Sequence, residues 1–294
     1  MNYCIENEFL KVVIADKGAE LQSIVGKKTG TEYLWQGNEK YWAGRAPIMF
    51  PICGRLIDGK YTWEGKEYEM ILHGFARFQT FDMVAKTAEA VTFELRDNEE
   101  TRACYPFSFL LRVTFSLDGN NMKCTFYVEN ENEKDLPFSV GGHPGYNVPF
   151  GEGESFDDYY LEFACVKPTS IIHTSENGFF YAGYDDPYPL EDGKIIRLSH
   201  ELLNNHGMFF TNMCKRVSLK STKHDKSLTV HFEGMTHLGL WHKPESDAPY
   251  VCIEPWHGIP ATDGKVDDLA TKNELIHLAK GESFSNYFDV TITE

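Results

Sequence analysis

An all-β fold, with large antiparallel sheets stacked face to face, is what this sequence predicts, and three observations predict it. Short runs rich in β-branched and aromatic residues recur throughout the 294 residues. Several of these runs are joined by turn signals of the hairpin type. Apolar residues at helical spacing are scarce. Many strands with few helices bury their apolar faces best by packing sheet on sheet.

Residues 61–70 read as a hairpin turning at Glu64-Gly65-Lys66. Val91-Thr92-Phe93-Glu94-Leu95 alternates apolar and polar residues, the period of a half-buried strand. Residues 110–117 form a longer run of this kind, and residues 122–128 return from it. Between them lies Asp118-Gly119-Asn120-Asn121, whose residues tolerate the positive φ of a tight turn. Another hairpin pairs 216–220 with 228–233 across Lys223-His224-Asp225-Lys226. Residues 237–242 pair with 250–253, and 283–293 make the last strand. Helical pattern is confined to 267–278, a short helix, and to 199–205, a turn or two. Phe150-Gly151-Glu152-Gly153-Glu154-Ser155 reads as a mid-chain loop, after which strand-like sequence resumes at Tyr159. No repeat, low-complexity linker or composition shift divides the chain. Residues 1–294 are therefore expected to form one β-sandwich domain.

Apolar residues make up 42% of the chain, enough for a sizeable core. The net charge of −16, from 28 basic and 44 acidic side chains, argues against binding nucleic acid or anionic membranes. It leaves a neutral metabolite open, and a local basic pocket for a small anion. The seven cysteines, Cys4, Cys53, Cys104, Cys124, Cys165, Cys214 and Cys252, include no CxxC pair and mostly have apolar neighbours. They read as buried or half-buried free thiols, which favours a reducing compartment. No leader-like start and no membrane-length apolar run is present, so a soluble, cytoplasmic protein is expected. HExxH, GxSxG, Walker and GxGxxG patterns are all missing, and no resident metal or cofactor is expected.

Three stretches carry chemistry. In Leu72-His73-Gly74-Phe75-Ala76-Arg77 a glycine lets another group approach the imidazole. In Gly141-Gly142-His143-Pro144-Gly145 a histidine sits in a sharply shaped loop after a strand at 136–140. In Ile253-Glu254-Pro255-Trp256-His257-Gly258 a carboxylate ends an apolar, strand-like run. Such a carboxylate is costly unless paired, and partial burial raises its pKa and makes it a better base. Histidine and glutamate together can give and take a proton near neutral pH. Trp256 offers an apolar face for a sugar ring. Arg55 and Arg77 are the basic residues nearest these stretches, and their forked donors suit oxygen-rich ligands.

Taken with 50–55 and 238–241, these stretches resemble the aldose 1-epimerase (galactose mutarotase) family, in its LacX-like branch, along nearly the whole chain. The resemblance implies a large antiparallel β-supersandwich with the site in a concave cleft across one sheet. In that family a glutamate near the C-terminus acts as base, a central histidine as acid, and a second histidine binds and polarises the ring. By motif these are Glu254, His143 and His73. Gly54-Arg55 resembles a Gly-Arg of the family, but Gly59 stands where the better-known galactose mutarotases carry a further arginine. Their sugar-holding aspartate has no counterpart at Asn205-His206-Gly207. The implied activity is cofactor-independent interconversion of the α and β anomers of an aldohexose. The alternatives are a sugar 6-phosphate as substrate, or sugar binding and sensing without catalysis. The expected partner is a small carbohydrate, and the expected state a monomer or homodimer.

Overall fold

In a computed structural model the described residues are 1–176, 180–204 and 207–294. Among them, two large antiparallel sheets account for most of the structure, with three smaller sheets around them. The nine-stranded sheet has at its centre Ser283–Thr293, flanked by Asn121–Asn130 and Ser227–His231. Asn121–Asn130 alternates half-buried and buried residues along its whole length. The period-2 pattern therefore lays one face on the core and leaves the other towards water. The turn into this strand is tighter than the sequence suggests: Asp118 and Asn121 already pair, leaving Gly119, at φ +56°, and Asn120 as the loop. The hairpins expected at 61–70 and 216–233 form, 237–241 pairs with a partner strand along which the pairing runs on past 253 to Trp256, and Ser283–Thr293 is the last strand.

The eight-stranded sheet holds the site. Its central strand is Tyr250–His257, buried on both faces except at its last residue. On one side it pairs with His237–Trp241. On the other it meets two short strands, Val140–Gly142 and Gly145–Asn147. The apolar core lies between the two large sheets and includes Ile253, Val251, Phe288, Val290 and Phe126.

Four expectations need correction. Residues 267–278 are not helical: Asp267–Asp268 pairs in parallel with 61–62, and Ile276–Leu278 pairs with Leu136–Phe138, with turns between. Lys272, in the middle, is buried because its ammonium donates to the carbonyls of Ile259 and Pro260. These tertiary bonds outweigh a weak local propensity. A helix not anticipated, Glu99–Cys104, is capped reciprocally by Asn98 and Thr101. The strand expected at 136–140 breaks at Ser139 into two, which join different sheets. Finally, the cysteines are not all free, and Cys4 is exposed. Cys165 and Cys214 form a disulfide, because they extend the paired ends of Tyr159–Phe163 and Arg216–Ser221. Among the described residues no helix is long and apolar enough to cross a membrane. Asn205 and His206 lie outside the described residues.

Candidate active site

Strand pairing brings the remote motifs together. Gly141 pairs with Trp256 and Gly145 with Cys252, and the same register carried through places His143 opposite Glu254. Directly opposed residues point to the same face of a sheet. Gly239 faces Glu254 from the other neighbouring strand. A Cβ there would lie 3.2 Å from both the Cβ and the Oε2 of Glu254, so this position admits only glycine without displacing the carboxylate. Glu254 is thus mid-strand, where the sequence reading had it at a strand end.

The side chains of His143 and Glu254 approach to 3.3 Å between Nε2 and Oε1. Both residues are buried, Glu254 to 1% exposure. Trp256 donates its indole N–H to Glu254 Oε2 at 3.2 Å. The contact with His143 lacks hydrogen-bond geometry, so Oε1 has no hydrogen-bond partner among the described residues. One carboxylate oxygen is therefore anchored and the other is left for a ligand. Burial pushes Glu254 up to about 8, opposed in part by the Trp256 N–H. Burial pushes His143 down to about 3. Both groups are thus neutral at pH 7, with the proton on the carboxyl. Desolvation is the dominant influence on His143, so the imidazole is not held charged at rest.

His73 stands at left-handed φ, +63°, ahead of Gly74 at +70°. A Cβ on Gly74 would fall 2.2 Å from the carbonyl oxygen of Phe50, so the turn that aims His73 requires glycine. The Gly54 N–H donates to His73 Nδ1 at 3.1 Å, which places the ring proton on Nε2. Burial above all, with repulsion from any proton on His143 and from the Arg77 and Arg55 guanidinium groups, holds His73 well below the usual imidazole range. It is a neutral N–H donor whose ring lies 5.4 Å from that of His143 and edge-on to it.

These three side chains open into a cavity of about 430 Å³, a size that suits a monosaccharide. Arg55, Arg77 and Trp256 line it too, so all six anticipated residues meet there. Trp256 is only 2% exposed and edge-on to His73; its indole supports the carboxylate and does not offer a stacking face. The half-exposed indoles are Trp42 and Trp241, both packed on His143. Sequence reasoning missed them, and also Lys243 and Gly239. A glycine in mid-strand was the signal available for Gly239, since it marks close approach of another group. Arg77 is half-buried, with one guanidinium nitrogen on the Leu72 carbonyl at 2.9 Å, whereas Arg55 is exposed at the rim. A larger cavity of about 800 Å³ adjoins this one behind Arg55 and Leu72, but contains neither histidine nor Glu254.

Comparison with known proteins bears on the family and the fold. The family model for aldose 1-epimerase matches residues 1–291. The chain is 33% identical to the plasmid-encoded protein LacX of Lactococcus lactis subsp. lactis over 296 aligned positions, covering 98% of each. It superposes with a TM-score of 0.94 on a galactose mutarotase related enzyme from Lactobacillus acidophilus, at 36% identity over 100% of this chain and 98% of that one. A galactose mutarotase-like protein from Lactobacillus casei gives the same TM-score at 33% identity, with both chains covered completely. A matching family model over nearly the full length, carried on the same sheet architecture, makes this chain a member of the aldose 1-epimerase family.

Proposed function

We propose that the protein is a cofactor-independent aldose 1-epimerase that opens and recloses the ring of a sugar hemiacetal between Glu254 and His143. The observation that supports it best is the buried carboxyl–imidazole contact at 3.3 Å, facing a sugar-sized cavity with one carboxylate oxygen unused. Ring opening needs a proton removed from the C1 hydroxyl and one delivered to the ring oxygen. Glu254 as carboxylate takes the first, and His143 as imidazolium gives the second. The pair that results, carboxylic acid and neutral imidazole, is the form that burial already favours. Both forms hold the same single proton, so they are tautomers of one state. A bound sugar's hydroxyls, in place of water, supply the dipoles that let the charged tautomer form. Rotation about C1–C2 and closure with the roles reversed restore the pair. His73 donates its Nε2–H to the developing charge on the sugar oxygen. Anomer exchange followed by NMR across a panel of aldoses tests the proposal, and acceleration of none of them would end it.

The shared proton sets a pH dependence. Glu254 has a raised pKa, so the pair loses its proton as pH climbs through about 8. We expect kcat/KM, which reports the free enzyme, to fall above that value. A rate that stays level through pH 9.5, roughly one and a half units beyond, would show that this proton is not required.

A specific observation favours a second reading of the substrate. Arg55, Arg77 and Lys243 line the cavity, and Glu254 is the single acid among its described lining residues, in a chain of net charge −16. That local reversal of sign suits a sugar phosphate. On this reading glucose 6-phosphate is anomerised faster than glucose or galactose at low substrate, and Arg77→Ala erases the preference. Losing one charge-assisted contact of about 1.5–3 kcal/mol corresponds to roughly a ten- to hundredfold drop in kcat/KM. Equal rates for the free and phosphorylated sugars would leave the neutral aldose.

A further inference from the structure

Beside the Glu254–His143 pair lies a thiol that proton transfer does not use. Cys252 precedes Glu254 by two residues on one strand, so their side chains share a face. It is fully buried, across from Gly145 on one side and Trp241 on the other. One donor atom each from His143, Cys252 and Glu254 lies within 4.8 Å of the other two. Donors so spaced can close on a common centre at zinc–ligand lengths of about 2.0–2.3 Å with small side-chain adjustments. Glu254 Oε1 is buried without a hydrogen-bond partner among the described residues, and Oε2 is fixed by the Trp256 N–H. Oε1, the oxygen left available for a ligand, is also the one that approaches His143 Nε2 to 3.3 Å.

The donor set is one nitrogen, one sulfur and one oxygen. It matches a borderline-soft ion that accepts four ligands, and it excludes magnesium and calcium, which want oxygen. Cys252 and Glu254 come from Tyr250–His257 and His143 from the link between Val140–Gly142 and Gly145–Asn147; His143 and Glu254 line the cavity, which can supply a water or a sugar hydroxyl as fourth ligand.

We propose that His143, Cys252 and Glu254 form an inhibitory site for a soft divalent cation, Zn²⁺ being the type. On binding, the thiol proton leaves to solvent and the thiolate, the imidazole and Oε1 close on the ion. The inhibition rests on the acid–base reading above, because the ion takes the same oxygen and ring that would carry the protons. The binding itself does not rest on it.

The test uses the full chain in a Cys4→Ser background, which removes the exposed free thiol. Titration with Co²⁺ should saturate at one ion per chain and give a thiolate-to-metal charge-transfer band with the visible bands of a four-coordinate site. Zn²⁺ should displace it, stop anomer exchange, and be reversed by a chelator. Cys252→Ser, a near-isosteric change that keeps the fold, should abolish the thiolate band and weaken Zn²⁺ binding at least about tenfold. A thiolate band that survives Cys252→Ser, or no stoichiometric binding by the unsubstituted site, overturns the proposal. Binding with the Cys252-dependent band in a protein that anomerises no sugar supports the site and removes the acid–base reading instead. Full activity with the ion bound would overturn the inhibitory role.

Discussion

Glu254→Gln should slow anomer exchange by at least the ~10²- to 10⁴-fold that a positioned general base contributes, while sugar binding changes little. The amide has the shape of the carboxyl and keeps an oxygen for the Trp256 N–H, which now stands 3.2 Å from Oε2. It cannot take a proton from a hydroxyl. The fold should tolerate it, because burial already keeps this carboxyl largely neutral, so no buried charge is created or lost. A collapse of rate with unchanged melting temperature is therefore the expected pair of results, by polarimetry or NMR and by thermal unfolding. Near-normal rates would remove Glu254 as the base. A large fall in melting temperature would mean that the carboxylate is structural.

What the sequence revealed and what it hid divide along physical lines. The strands bordering Asp118-Gly119-Asn120-Asn121 were legible because a hairpin is written locally, in alternation and turn residues. The three chemical motifs were legible as residue types beside glycines. Their convergence was not, because opposing His143 to Glu254 requires a pairing register between segments more than a hundred residues apart in the chain. Glu254 reads as the end of its strand because the apolar run stops there, but the strand continues through Pro255 to His257. Proline ordinarily ends a central strand, yet Trp256 resumes the pairing with His237 on one side and Gly141 on the other. The disulfide was hidden for a related reason. Cys165 and Cys214 are 49 residues apart, and only the pairing of two strands aligns them. The charge state of His143 needed burial as well as proximity, and a sequence carries no direct measure of burial.

Lys272→Met should cost about 3–5 kcal/mol of stability, the range for removing one partner of a buried ion pair. Lys272 is 5% exposed. Its ammonium donates to the carbonyls of Ile259 at 2.9 Å and Pro260 at 3.1 Å, and stands 3.6 Å from Asp267 Oδ2. Methionine fills the space but leaves two carbonyls and a buried carboxyl without their donor. Asp267 can relieve part of the cost by taking up a proton, since burial already raises its pKa. The loss should therefore be smaller at pH 5 than at pH 8, as the carboxyl is neutralised on the acid side. The damage reaches the site by a short path. Pro260 packs against Gly54, where a Cβ would sit 2.7 Å from the proline ring, and the Gly54 N–H holds His73 Nδ1. Variant protein that remains folded should thus lose rate as well as stability. Urea unfolding at the two pH values measures the first effect and anomer exchange the second. Adding Asp267→Leu to Lys272→Met should restore much of the stability, because it removes the stranded carboxyl. If the double variant is as unstable as the single one, the carbonyl contacts alone account for the cost and the ion pair contributes nothing.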